Sequence, residues 1–322
     1  MKAFVTGGTG FVGAHLVQQL LADGHHVTCL VRSPAKAAAL GWRGVRIVRG
    51  DLNDRQALAE GCAGADVIFH VAGVIAARDL NHFMSANRDA TGGLLEVAAA
   101  HPPGRFVYVS SQAAGGPSTP GRPGVETDAP HPVSDYGRSK LAGELLVRTS
   151  GLPWTIVRPP VVYGEWDREV LKVFKMARLG VAPVFGDGSQ EISVIYAGDL
   201  ARALATAAVA PTAASRVYYA AHPQSVTTRG LVLAVGQALQ KKPLVVPIPR
   251  ALARGALAAI GSLARMAGRV TLLSADKANE FLAPAWVSSA AALTRDTRWR
   301  AEVDLESGLR RTAAWYREQG WL

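Results

Sequence analysis

Cysteine is scarce in this chain. Cys29 and Cys62 are the only two in 322 residues, and neither belongs to a Cys-x-x-Cys pair. That excludes a disulfide framework and predicts a reducing, cytoplasmic setting. His, Cys and carboxylate residues nowhere cluster at ligand spacing, so no metal is expected. Long apolar runs are missing too: the opening one is too short for a signal peptide, and none is expected to span a membrane. Acid is in short supply, with 25 Asp and Glu against 35 Lys and Arg and a net charge of +10. The basic residues are nonetheless scattered singly (Arg32, Arg43, Arg46, Arg49, Arg105, Arg122), without a dense block interleaved with aromatics. This argues against nucleic acid as a partner; an anionic cofactor or a small-molecule substrate suits such a surface better.

What the chain has is glycine, placed at its start. Ala3 to Val5 reads as a buried strand, and Phe11 onward as a helix with Leu16, Val17, Leu20 and Leu21 on one face. Gly7, Gly8, Gly10 and Gly13 fall between them. Bare backbone there lets a pyrophosphate reach the first N–H groups of the helix and the positive end of its dipole. A Gly-x-Gly-x-x-Gly pattern in that context predicts a dinucleotide site, with Gly7, Gly10, Phe11, Val12 and Gly13 against the cofactor.

The first half alternates elements. Strands are expected at 2–6, 26–31, 45–49, 66–70, 105–110 and 154–158, and helices at 11–23, 54–61, 80–101 and 135–150. This is the βαβ rhythm of a doubly wound parallel sheet covered on both faces, an α/β fold. Residues 113–134 interrupt it with a long Gly/Pro-rich loop, a length that usually signals function. The expected division is a Rossmann dinucleotide-binding domain over 1–160, to which 192–221 return. A smaller, mostly helical substrate lobe takes 161–191 and 222–322. Within it, 251–270 reads as an Ala/Leu-rich helix with Arg254, Arg265 and Arg269 on one side, and Leu252, Ile260, Leu263 and Met266 spread over the other. It is expected to pack on its own protein; contact with a membrane surface is the weaker alternative.

Three further positions carry chemistry. About twenty residues beyond the glycine turn, where Asp or Glu would hold the ribose of NAD, stands Arg32, with Lys36 one turn later. These cations suit a 2′-phosphate, so NADP is expected, with NAD the alternative. Asp51 and Leu52, after strand three, are placed against adenine. Val71, Ala72 and Gly73, after strand four, are small enough for close approach to a ligand. Tyr136 and Lys140 share one helix face at a spacing of four. A neighbouring ammonium is expected to lower the phenol pKa and make Tyr136 an acid for reduction and a base for the reverse. Ser110 and Ser111 end strand five, where open parallel sheets bind ligands and a hydroxyl can donate to a carbonyl oxygen.

Together these residues resemble the extended short-chain dehydrogenase/reductase family, also called the NAD-dependent epimerase/dehydratase family. The likeness runs through Thr6 to Gly13, Asp51-Leu52, His70-Val71-Ala72-Gly73, Asn87, Val109-Ser110-Ser111, Tyr136 to Lys140, Arg158 to Gly164, Gly186-Asp187-Gly188, Asp199 and the ending Trp315 to Trp321. The resemblance implies a sheet of order 3-2-1-4-5-6 extended by a seventh strand. It also implies a catalytic trio of Ser111, Tyr136 and Lys140, with Lys140 on the nicotinamide ribose. Asn87, Pro159 and Val162 join the cofactor-binding residues on the same ground, and a homodimer paired through flanking helices follows by analogy. Relatives acting on nucleotide-sugars carry an arginine shortly after the Gly-Asp-Gly turn; here the matching residue is Ile192, beside Glu191, which would repel a diphosphate. The chain therefore resembles the dihydroflavonol-reductase and 3β-hydroxysteroid-dehydrogenase branch. The expected activity is hydride exchange between nicotinamide and the carbonyl or alcohol of a small, largely apolar substrate. The alternatives are a nucleotide-sugar epimerase or dehydratase with tightly bound NAD, and a non-catalytic NADP-binding scaffold or redox sensor.

Overall fold

The computed structural model describes all 322 residues. Seven strands form one parallel sheet: β1 (Lys2–Thr6), β2 (His26–Val31), β3 (Arg46–Arg49), β4 (Val67–His70), β5 (Arg105–Val109), β6 (Trp154–Arg158) and β7 (Arg216–Tyr219). Their spatial order is β7-β6-β5-β4-β1-β2-β3, the doubly wound arrangement. Crossover helices cover both faces, so the central strands are continuously apolar rather than alternating. Successive side chains still part company, because a strand has period two. Val5, Phe69 and Val107 enter one core with Leu16, Leu20, Leu200 and Leu204. Phe4, Ile68 and Phe106 enter the other with Leu58, Leu94 and Val147.

The first core is roofed by α1 (Phe11–Ala22), and the second by α2 (Arg55–Cys62), α3 (Ala90–Ala100) and α4 (Asp135–Thr149). The helical stretch expected over 80–101 is not uniform: Leu80–Met84 is α-helical, Ser85–Asp89 is a π turn, and α3 follows directly. Such turns insert an extra residue and re-aim side chains, often at functional sites. Here the turn carries Asn87.

After β6 the chain builds a lobe and then returns. Its core joins α5 (Val170–Arg178), α7 (Thr228–Ala238) and α9 (Leu305–Glu318) through Phe174, Val235, Leu309 and Tyr316. Between α5 and α7, α6 (Ala197–Val209) goes back to pack on α1 before β7 joins the sheet. The lobe contains strands that the sequence reading did not foresee: Val181–Phe185 pairs in parallel with Leu244–Ile248. Nor does the Gly/Pro-rich stretch 113–134 hang free. Ser118 bridges to Ala285 and Gly124 to Ser288, stapling it to the lobe.

The other departure concerns α8 (Arg250–Met266). Only Ala253, Leu257 and Gly261, a single i, i+4, i+8 line, are buried. A Cβ at Gly261 would lie 2.9 Å from the Ser274 Cα, so glycine lets the following segment cross closely. Leu252, Leu263 and Met266 are 66%, 64% and 83% exposed. The apolar side expected to pack on the protein faces outward.

Candidate active site

The N-terminal turn has the stereochemistry a pyrophosphate requires. Gly7 adopts φ +77, and a Cβ there would sit 2.5 Å from the Ala72 nitrogen. At Gly13 a Cβ would lie 2.1 Å from the Gly7 carbonyl oxygen, so the first turn of α1 can pack on the loop only as glycine. Gly10 caps α1 in extended conformation, with no side chain on the first N–H groups and no acid in the first turn. Those groups and the positive helix end are thus free for an anion. Phe11 and Val12 begin this helix. Val71, Ala72 and Gly73 leave β4 directly beside it, as the Ala72–Gly7 approach shows. The turn fits a dinucleotide phosphate.

At the adenosine end, β2 runs out at Val31 and is followed by Arg32 and Ser33, with no carboxylate. Arg32 and Lys36 are both exposed. Asp51 is exposed as well, and its carboxylate accepts from the Asn53 N–H at 2.8 Å; Leu52 is half-buried beside the second core. Pro159 accepts the Gln112 N–H through its carbonyl at 2.8 Å, and Val162 pairs with Ile195.

Beyond the carboxyl ends of β4 and β5 the catalytic candidates meet. Ser111 caps the short helix Gln112–Gly115, accepting from the Ala113 N–H at 3.1 Å. Tyr136 stands in the first turn of α4, its ring 6.0 Å from that of Phe83. Burial pushes the Tyr136 phenol up to about 12, and the nearby Ser111 hydroxyl pulls against that rise. Lys140, one turn along, buries its ammonium and donates to the Val109 carbonyl at 2.7 Å, with the Tyr108 ring 4.2 Å away. Burial brings its pKa down to about 7, opposed by Glu144. A Cβ on Gly73 would lie 3.1 Å from Asn87 Oδ1 and 3.7 Å from Lys140 Nζ, so the β4 turn, Asn87 and Lys140 share one corner.

One expectation is corrected. Lys140 was to lower the Tyr136 pKa, yet the phenol is raised. Nζ is turned onto a carbonyl oxygen and a neighbouring ring, and desolvation costs the phenolate more than any cation returns. A phenol held this high stays protonated at neutral pH.

Asn87 is equally committed. Its Oδ1 accepts from the Val74 N–H at 2.8 Å, and its Nδ2 donates to the Val74 carbonyl at 3.0 Å and to Ser139 Oγ at 2.9 Å. Its amide pins the β4 turn to α4. Behind it, His70 lies between Thr6 Oγ1 at 2.7 Å and Thr91 Oγ1 at 2.9 Å. Burial, helped by Lys140, depresses this imidazole to about 3, so it is neutral. Under α4, Glu144 receives Arg158 Nε at 2.8 Å and Nη2 at 2.7 Å, and Ser110 Oγ donates to the same carboxylate at 2.6 Å. Ser110 therefore supports the floor while Ser111 faces the phenol.

The sequence reading missed what the lobe contributes. Ser134, the N-cap of α4, accepts from the Gly137 N–H at 3.0 Å and donates to Glu280. Asp276 accepts the Asp135 N–H at 3.1 Å. Lys277, ion-paired with Glu280 at 2.6 Å, places its ammonium 4.6 Å from the centre of the Tyr136 ring. Only the i, i+3 spacing of Lys277 and Glu280 was visible in the chain, and that is ordinary for a helix. Ile192 is buried in the lobe core, and Glu191 accepts the Gly121 N–H at 3.1 Å. Neither supplies a cation to the cleft.

The chain is 33% identical to a ceramide reductase from Caulobacter vibrioides, over 99% of this chain and 95% of that one. It is 31% identical to a 2-alkyl-3-oxoalkanoate reductase from Stenotrophomonas maltophilia, over 98% of this chain and 99% of the relative. A solved dTDP-glucose 4,6-dehydratase from Streptomyces venezuelae with NAD bound superposes with a TM-score of 0.80 at 26% identity, covering 100% of this chain and 98% of that one. Residues 3–221 match the NAD dependent epimerase/dehydratase family, and the chain belongs to that family.

Proposed function

We propose that the protein is an NADP-dependent reductase acting on the ketone of a largely apolar, long-chain substrate. The observation that carries this reading is the meeting of Ser111, a protonated Tyr136 and Lys140 at the sheet's carboxyl edge, beside the glycine turn. A bound NADPH would supply the hydride. The Ser111 hydroxyl donates to the substrate oxygen and fixes it against the phenol. As negative charge grows on that oxygen, Tyr136 Oη gives up its proton, yielding the alcohol. Lys140, its ammonium held on the Val109 carbonyl in the corner shared with Asn87 and the β4 turn, would hold the nicotinamide ribose.

The apolar assignment rests on the missing cation at Ile192 and on the two full-length reductases, whose names specify a lipid and an alkyl-branched oxo acid. The choice of NADP rests on Arg32 and Lys36, exposed beyond a β2 end that bears no acid. The test is NADPH oxidation by the purified full chain with a long-chain β-keto amide and a β-keto acid, against UDP-glucose and dTDP-glucose as controls. Consumption of NADPH with the keto lipids alone is expected. Conversion of a sugar nucleotide without net NADPH loss would overturn the reading in favour of an epimerase or dehydratase.

A further inference from the structure

We infer that α8, with the residues after it to Leu273, is a docking surface for an anionic lipid bilayer. Leu252, Ala256, Ala259, Leu263 and Met266 recur at intervals of four, three, four and three, so they line one side of the helix. All five are exposed, with Ile260 beside them. Exposed apolar residues continue past the helix end at Val270 and Leu273, and precede it at Leu244 and Val246. No helix of this chain is long and apolar enough to cross a membrane. A helix with an apolar stripe beside a cationic band lies in the plane of the bilayer interface instead.

Charge selects the occupant. Between Leu200 and Ala275 there are nine Lys and Arg and not one Asp or Glu, in a chain whose net charge is +10. On the helix, Arg254 and Arg265 stand on the side away from the apolar stripe, and Arg269 follows just past the helix end, so basic groups flank the apolar face. Arg250 sits by Asp187, and Arg254 donates to Asn279 Oδ1 at 3.2 Å. The nearest carboxylates that follow, Asp276 and Glu280, are turned onto the Tyr136 helix. A second copy meeting this face symmetrically would set arginines against arginines. An anionic leaflet offers them headgroups and gives the leucines acyl chains, and the attraction fades within a Debye length, so it weakens with salt.

The position also has a use. Asn279 links α8, through Arg254 on the side away from the apolar stripe, to the segment that puts Lys277 on the Tyr136 ring, so the docked helix adjoins the roof of the cleft. A lipid could then pass from the leaflet to the phenol without crossing bulk water. That last link rests on the proposed reaction; the docking does not, and its test involves no turnover.

The full chain is sedimented with phosphatidylcholine vesicles, with and without about 30% phosphatidylglycerol, at low and high salt. Binding to the anionic vesicles alone is expected. It should weaken by about tenfold or more at high salt, and likewise in Leu263→Glu/Met266→Glu and in Arg265→Gln/Arg269→Gln. Both variants should keep the wild-type circular dichroism and NADPH affinity, since none of these four side chains touches the cofactor turn. Wild-type protein that stays in the supernatant with anionic vesicles would overturn the inference. So would undiminished binding by either variant, or a concentration-dependent dimer in sedimentation equilibrium that the glutamates dissolve, which would assign the face to a second copy.

Discussion

The two walls of the cleft over Tyr136 are held by different means. On the sheet side three buried polar side chains are tied in place: His70 between two threonines, Asn87 clamping Val74, Glu144 bound twice by Arg158. On the lobe side, α8 buries three small or medium residues along one line, and the contacts that reach Tyr136 come from one short segment, 276–280. Buried, satisfied networks fix atoms in place, whereas thinly anchored elements open at low cost. The comparison teaches that the sheet side holds its groups by buried polar networks and the lobe side by a few contacts from one segment, and the proposed reaction places the chemistry on the first.

The rigid wall can be broken first at its acid. Tyr136→Phe keeps the ring and removes the proton, so reductive turnover should fall by about 10²–10⁴-fold. NADPH affinity, read by fluorescence titration, should be nearly unchanged. If turnover survives, the proton comes from elsewhere. Next is the floor. Glu144→Gln leaves the Arg158 guanidinium buried without its partner, and urea unfolding should report a loss of about 3–5 kcal/mol. A loss under 1 kcal/mol would mean that solvent reaches Arg158 after all.

Arg32 and Lys36 lie at the exposed end of β2, apart from both walls, and smaller effects are expected there. Arg32→Ala should weaken NADPH by about tenfold, the worth of a charge-assisted hydrogen bond, while leaving NADH alone. Equal weakening of both would remove the 2′-phosphate assignment.

Protonation sharpens the contrast further. The Lys140 ammonium is depressed from 10.5 to about 7 in the fold. Between those values the unfolded chain holds a proton that the native one has released, so stability rises with pH from about 7 toward 10.5. Lys140→Met should flatten that rise in denaturation curves taken across the window. The raised Tyr136 phenol works the other way above pH 10, where the native state keeps a proton the unfolded chain loses. On the compliant wall the smallest change is expected: Lys277→Ala should move KM by a few fold and kcat less, because it touches the ring rather than the reacting oxygen. A larger drop in kcat than in substrate affinity would move Lys277 to the rigid side of the comparison.

Much of the rigid wall was legible because its signals are local. The glycines between β1 and α1, the apolar strand runs and the spacing of Tyr136 and Lys140 each occupy a few adjacent residues. Arg158 and Glu144, fourteen residues apart, meet only once β6 lies beneath α4. The imidazole of His70 is sandwiched by threonines 64 and 21 residues away. The roof was illegible for the same reason, carried further: Glu280 reaches Ser134 across 146 residues. The direction of the Tyr136 shift also escaped, since spacing reports that a cation is near but not that its ammonium is turned aside and dehydrated. The outward face of α8 was visible as a pattern, but which side meets the protein depends on Ala253, Leu257 and Gly261 finding neighbours elsewhere.

The Ser134 hydroxyl serves two masters, closing the first turn of α4 and gripping Glu280 from the lobe. One oxygen thus couples the turn that carries Tyr136 to a segment 146 residues further along the chain, and a change at either end is felt at the other.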